Sequence, residues 1–161
     1  DIRRILKEHG DEPLPDVAEL LLMFAARSIN VDNAIRPALQ SGTWVISDRF
    51  TDSTRAYQGG GRGFPRDSIE GLAQLVHGDL QPDLTILLDA PVATAMQRAG
   101  RRGELDRFEV EQAEFFSRVR QAYLDLAAAE PQRFAVVDCS QALVAVQADI
   151  GKIAAELLGD K

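Results

Sequence analysis

The chain has 161 residues, 45% hydrophobic and 27% charged, with 12 Gly, 7 Pro and one Cys, which is the profile of a soluble globular domain and excludes disordered, collagen-like and disulfide-rich classes. A domain of this length buries roughly two thirds of the surface its unfolded chain exposes, so it needs no stapling metal or disulfide, and the lone Cys139 allows no internal one. With 25 acidic against 18 basic residues the net charge is −7, the wrong sign for a general nucleic-acid or acidic-membrane binder, so an anionic ligand must meet a local arginine cluster.

In chain order, a short helix is predicted over Ile2 to Lys7 and a long one over Pro15 to Gln40, closed by Gly42. Thr43 to Ser47 reads as a strand, followed by helices over Asp52 to Gln58 and Arg66 to Val76. Leu84 to Leu88 is the next strand, introduced by Pro82, and Pro91 opens a helix that runs to Arg101. A helix over Glu109 to Ala129, a strand over Phe134 to Val137 and a helix over Gln141 to Leu158 complete the chain. Short continuous apolar runs suit parallel strands buried on both faces, and their alternation with helices makes the fold α/β. No internal repeat, secretory segment or run of 18 apolar residues interrupts the pattern, so the cytoplasm is the default compartment.

Chemistry collects at four places. The apolar run from Trp44 delivers Asp48 and Arg49 to a strand's C-terminal end, where ligands bind in open parallel sheets. An arginine fork grips two phosphate oxygens and a neighbouring carboxylate suits the waters of Mg²⁺, although the same dipeptide also reads as a strand-end salt bridge. In the segment TDSTRAYQGGGR, Asp52 is placed to cap a helix whose Thr54, Tyr57 and Gln58 share a face, and Gln58 offers the donor and acceptor that read a base edge. Its three glycines let the backbone pass close to something bulky, or else simply end the helix.

On the long helix, Met23 and Phe24 stand four and three residues before Arg27, a platform and donor suited to a planar base, or equally a core stripe edged by a snorkelling arginine. Finally, Arg98, Arg101, Arg102 and Arg107 crowd around Gly100 and Gly103. This is either a mobile lid that neutralises a transferring phosphoryl group or a solvated face paired with Glu104 and Asp106.

FAAR at Phe24 to Arg27, DRF at Asp48 to Phe50, AYQGGGRG at Ala56 to Gly63, PDLTILLD at Pro82 to Asp89 and RRGELDRFE at Arg101 to Glu109 together resemble bacterial thymidylate kinases over essentially the whole chain. The resemblance implies an α/β fold, a P-loop kinase-like parallel sheet with flanking helices, arranged as one domain over residues 1–161 with a lid at 98–108. It implies transfer of the γ-phosphoryl group of ATP to dTMP, giving dTDP, with Mg²⁺, in a cytoplasmic homodimer that binds neither nucleic acid nor membrane. The dimer contact would use the apolar run Leu20 to Phe24 or its opposite face.

Residue by residue, the resemblance places Arg49 and Arg3 on the acceptor phosphate and Asp48 on Mg²⁺ through water. Arg27 would donate to the thymine carbonyl, Gln58 would read the base edge beside Thr54, and Tyr57 would exclude a ribose 2′-hydroxyl. Arg102 matches the catalytic lid arginine, with Arg98 and Arg107 supporting it on the ATP phosphates. Met23 stands where the family often stacks a residue on thymine, with Phe24 as the alternative, and Gly100 stands where a related lid carries another arginine.

The sequence contains no G-x-x-x-x-G-K-[ST] loop and no REPGG-type segment. Against the family pattern it reads as lacking about 50 N-terminal residues, with strands 1 and 2 and the phosphate loop among them. The expectation is therefore a kinase in full-length form whose 161-residue chain is inactive alone. The competing expectations are a catalytically dead nucleotide-binding module that retains the dTMP acceptor site, or a P-loop kinase with another monophosphate acceptor. In the family's strand order, the strands ending at Asp48 and Asp89 flank the first strand, so they are not expected to bond to each other.

Overall fold

The computed structural model describes residues 2–7, 14–100 and 112–159. Helix α1 spans Ile2–Lys7 and α2 spans Asp16–Asn30. Glu19, Leu20 and Phe24 recur on one buried face of α2. That face packs on α5, Arg66–His77, whose Ile69, Ala73 and His77 recur every four residues and are likewise buried. Leu20, Phe24, Ile69 and Ala73 form one core, flanked by Phe64, Leu72 and Val76, and each large apolar side chain buried in it contributes about 1.5 to 3 kcal/mol.

The predicted helix over Pro15 to Gln40 is helical throughout but not uniformly wound. A wider π turn occupies Val31–Ile35 before α3, Arg36–Gln40, and the Arg36 N–H reaches back to the Val31 carbonyl. Pro37 near the start of α3 has no N–H for the residue four before it, and the widened turn accommodates that loss. Gly42 takes φ +74° just beyond the end, a conformation that glycine adopts without strain.

The sheet has two strands among the described residues, β1 over Thr85–Asp89 and β2 over Phe134–Asp138, parallel and paired from Thr85 with Phe134 to Asp89 with Asp138. Helices α6, Val92–Gly100, and α7, Ala113–Ala129, lie between them in sequence, and α8, Leu143–Gly159, follows β2. This is the expected α/β layout, a small parallel sheet with flanking helices. Burial of the strands is incomplete on both faces. Phe134 and Val137 are buried, whereas Leu88 and Val136 are about half exposed.

The strand predicted over Thr43 to Ser47 is a correction. Residues 43–47 have no regular secondary structure and join no ladder among the described residues, and Ile46 is 99% exposed. An apolar β-branched run becomes a strand only where a partner takes up its backbone N–H and C=O groups. Among the described residues the segment makes no direct ladder with β1.

The helix predicted over Asp52 to Gln58 is instead α4, Thr51–Thr54, continued by a π segment over Arg55–Gly61. That segment lies against α7, where Ala56, Phe115 and Val119 form a second core with Tyr57, Phe116, Ala122 and Tyr123. The glycines permit the approach. A Cβ on Gly60 would sit 2.6 Å from the Ala122 Cβ, and one on Gly61 would sit 2.5 Å from the Phe115 ring. What passes close to this backbone is α7 of the same chain, which also sends the Arg118 guanidinium to the Gly61 carbonyl at 2.9 Å.

Candidate active site

Arg27, at the last turn of α2, crosses to the segment that opens α4. Its Nη2 donates to the Thr54 Oγ1 at 2.9 Å and to the Phe50 carbonyl at 3.2 Å. Its guanidinium carbon lies 4.9 Å from the Phe24 ring centre and 5.6 Å from that of Phe50. Nη1 is buried without a hydrogen-bond partner. Burial, and then the Arg55 charge, push this guanidinium down to about 10 against a weaker opposing pull from Asp52, which still leaves it charged at neutral pH. A braced cation with a buried unused donor is suited to an acceptor oxygen on a planar ligand.

Arg49 is next to Phe50 and has φ +68°, the one non-glycine residue with positive φ among those described. Side chains adopt this region at a cost of about 1 to 3 kcal/mol, and such strain concentrates at functional sites. Its guanidinium lies 4.7 Å over the Tyr57 ring and donates to the Tyr57 hydroxyl at 3.2 Å. Burial lowers the pKa of Arg49, but Tyr57, Tyr123 and Asp48 outweigh it and hold the group above its usual value.

Tyr57 in turn meets Phe115 and Tyr123 edge to face at 6.1 and 6.4 Å. Tyr123 donates to the Ser53 Oγ at 2.7 Å, and burial pushes its phenol up to about 12.

The structure brings together Arg27, Phe24 and Thr54 at one end of this region and Arg49 and Tyr57 at the other, with Phe50 between them. Thr54, Tyr57 and Gln58 do not share neighbours as the helical spacing implied. Thr54 and Gln58 turn to α2 and Tyr57 to α7, because the chain widens to π winding from Arg55. Gln58 is 2% exposed and donates its amide to the Glu19 carboxylate at 2.8 Å.

Met23 is half-buried, while Phe24 is 2% exposed within the core. Asp48 is exposed beside Arg49. Arg98 donates to the Cys139 carbonyl at 2.6 Å, just past the C-terminal end of β2. Arg3 falls within α1, but its side chain, like Arg102 and Arg107, lies outside the described residues. Of the apolar run on α2, Leu20 and Phe24 are committed to the core, whereas Leu21 of the same run and Val17, one turn before it, are more than half exposed.

Sequence reasoning missed three buried residues. Asp52 makes no capping bond. It is 4% exposed and takes Arg133 at 2.6 and 3.0 Å and Arg55 at 2.8 Å. Burial raises its pKa, but the two arginines prevail and hold the carboxyl below its usual range. Arg55 also pairs with Glu70 and Arg133 with Glu130, so α4, α5 and the start of β2 are tied through one carboxylate. Glu19 is fully buried. His77 is 1% exposed, with its Nε2 2.7 Å from the Thr51 Oγ1 and its ring 4.9 Å from that of Phe50. Two of their partnerships, Gln58 with Glu19 and Arg133 with Asp52, span 39 and 81 residues, so no local spacing announces them.

Among the described residues no group of three His, Cys, Asp or Glu side chains is arranged to hold a metal ion, and none of their helices is long and apolar enough to cross a membrane.

Residues 1–150 match the family model for thymidylate kinase. The chain is 51% identical over 157 residues to a thymidylate kinase of Ectopseudomonas mendocina, covering 98% of this chain and 75% of that protein. It is 56% identical over 151 residues to the thymidylate kinase of Chromohalobacter salexigens, covering 92% and 71% respectively. The crystal structure of thymidylate kinase from Ehrlichia chaffeensis superposes with a TM-score of 0.71 at 31% identity, over 95% of this chain and 71% of that one.

Proposed function

The chain belongs to the thymidylate kinase family, and from that premise we propose that its described residues build the dTMP side of a phosphoryl transfer from ATP that yields dTDP. The observation that carries this reading is Arg27, fixed by Phe50 and Thr54 between two aromatic rings with Nη1 buried and unused. That free donor suits the thymine carbonyl. Met23, half-buried where Phe24 is fully committed, is assigned the stack on the base. Gln58 presents its amide oxygen and second N–H to the base edge, since one N–H is bound to Glu19.

Tyr57, held between Phe115 and Tyr123, crowds the sugar and disfavours a 2′-hydroxyl. Arg49 and Arg3 take the acceptor phosphate, and an arginine suits that role because its planar fork matches two phosphate oxygens.

On the donor side, Arg102, Arg107 and Arg98 are assigned to the ATP phosphates and the charge that develops between donor and acceptor. The single carboxylate of Asp48 fits a Mg²⁺ that arrives with nucleotide phosphates and retains most of its water, rather than an all-protein cage. Bound there, the ion would neutralise phosphate charge. The 161 residues contain no G-x-x-x-x-G-K-[ST] loop, so the reading gives this chain dTMP binding without turnover, and the full-length parent the reaction. The exposed face of α2 around Val17 and Leu21 is the proposed homodimer contact, and the cytoplasm the proposed compartment.

Calorimetry tests the carrying observation. The chain should bind dTMP, and Arg27→Ala should weaken binding by about 1 to 3 kcal/mol, the cost of a lost buried donor. Unchanged affinity would place the base elsewhere. Phosphoryl transfer to dTMP by the 161-residue chain would overturn the division between acceptor side and donor side. Binding without transfer in the full-length parent would favour a catalytically dead acceptor module.

A further inference from the structure

Phe50 is the residue on which both ends of the proposed acceptor site depend. Its carbonyl and ring hold Arg27, and its backbone continues directly from the strained Arg49. One side chain from another element fixes it. His77, the last residue of α5, lays its imidazole 4.9 Å from the Phe50 ring at an interplanar angle of 45°. Through Nε2 it bonds the Thr51 hydroxyl at 2.7 Å. Thr51 is fully buried and His77 is 1% exposed, and the His77 carbonyl is itself held by Arg36 at 3.0 Å.

A leucine would fill the same space without the cost of burying a polar ring. What the imidazole adds is a directional bond that locks Thr51, and with it the backbone of Phe50. We propose that His77 is a positioning residue for thymidine recognition: it touches no substrate, and it holds Phe50 and Thr51 so that Arg27 is aimed at the base. The proposal rests on the acceptor-site reading above.

The surroundings of the imidazole make the device sensitive to protonation. The charges of Arg27 from α2 and Arg55 from the π segment act on it, and Arg36 from α3 holds the His77 carbonyl. Burial and the Arg27 charge lower its pKa, and the Gly78 and Leu80 backbone only partly offsets them. The neutral ring is therefore the form present at neutral pH. Acid that finally protonates it places a further cation beside the Arg27 guanidinium and turns Nε2 into an obligatory donor toward Thr51.

Calorimetry with thymidine, which has no phosphate to titrate, tests the proposal on the full chain. His77→Leu keeps the volume and loses the bond, so affinity should fall about tenfold. His77→Gln restores an amide that can reach Thr51 and should recover most of the loss. Wild-type affinity should also fall as pH is taken below the ordinary imidazole value of 6.5 into the range where the depressed His77 ring gains its proton, and that of His77→Gln should not follow it. Equal affinity in wild type and His77→Leu would overturn the proposal while leaving the acceptor-site reading in place. If His77→Leu does not fold, the pH comparison decides: matching profiles for wild type and His77→Gln overturn it. A wild-type chain that binds neither thymidine nor dTMP overturns both.

Discussion

Gln58 in the π segment donates its side-chain amide to Glu19 of α2 across 2.8 Å, and both residues are almost wholly removed from water. A carboxylate can only accept, so this bond fixes which end of the amide is which and leaves the Gln58 oxygen and its second N–H as the remaining contact groups. It also gives a fully buried anion a neutral donor in addition to Arg62 at 3.5 Å, and such an anion is costly to strand.

Gln58→Leu should therefore lower stability by about 1 to 3 kcal/mol, seen as a fall of several degrees in Tm, and should weaken dTMP binding as well. The two effects are read separately, by thermal melting and by calorimetry. An unchanged Tm would mean that the bond braces nothing. Unchanged affinity would remove Gln58 from the base site and leave it a helix brace.

Arg49 invites a test in which stability and function move in opposite directions. Its φ of +68° is comfortable for glycine alone, so Arg49→Gly relieves strain worth about 1 to 3 kcal/mol. The loss of the Tyr57 contact returns about 0.5 to 1 kcal/mol of that. Tm should hold or rise while dTMP affinity falls at least tenfold, since a charged hydrogen bond to phosphate contributes about 1.5 to 3 kcal/mol. Arg49→Lys keeps the charge and the strain but loses the planar fork, and should also bind dTMP less tightly. A lysine variant with wild-type affinity would show that charge alone is used.

What could be read from the sequence and what could not divide along physical lines. The helices and the strands β1 and β2 were legible because apolar periodicity and punctuation by Gly and Pro are local signals. Arg27, Thr54 and Tyr57 were legible as candidates because the motifs that contain them are contiguous. Asp52 was misread as a cap because its main partner, Arg133, lies 81 residues away. His77 and Glu19 went unread because a buried polar residue betrays itself only through its partner.

Thr43 to Ser47 has strand composition, but a strand is a property of two chains and not of one. The widened turns were invisible for a related reason. The glycines at 60 and 61 signalled close approach, and only the packing shows that the neighbour is α7.

That packing makes a steric prediction with an internal control. A methyl group on Gly60 would meet the Ala122 Cβ at 2.6 Å and the Arg118 carbonyl oxygen at 3.1 Å, neither of which is a flexible end. Gly60→Ala should cost about 1 to 3 kcal/mol through forced separation of the π segment from α7. Gly71, inside α5, has nothing within 4 Å of the same added carbon, so Gly71→Ala should stabilise by about 0.5 to 1 kcal/mol. Urea unfolding of the two variants measures both, and a Gly60→Ala variant as stable as wild type would refute the close contact.

The acid side of stability should be governed in part by Asp52. The two arginines that hold it outweigh its burial and depress its pKa from the ordinary value of 3.8. A carboxyl whose folded pKa lies below its unfolded one contributes stability that is fully present above the unfolded value and disappears as pH falls through the folded value. The window is therefore below about pH 4, and the Asp52 contribution should be constant from there up to neutrality. Asp52→Asn removes the charge at every pH and leaves Arg133 and Arg55 to Glu130 and Glu70 alone. Breaking a buried pair costs about 3 to 5 kcal/mol, and the lower end applies because each arginine keeps a second carboxylate. At pH near 7 the variant should melt well below wild type, and the gap should narrow as the solution is acidified below about pH 4, where wild-type Asp52 becomes neutral too. A gap that stays constant down to the acid limit would show that the loss comes from packing and not from the charge of Asp52.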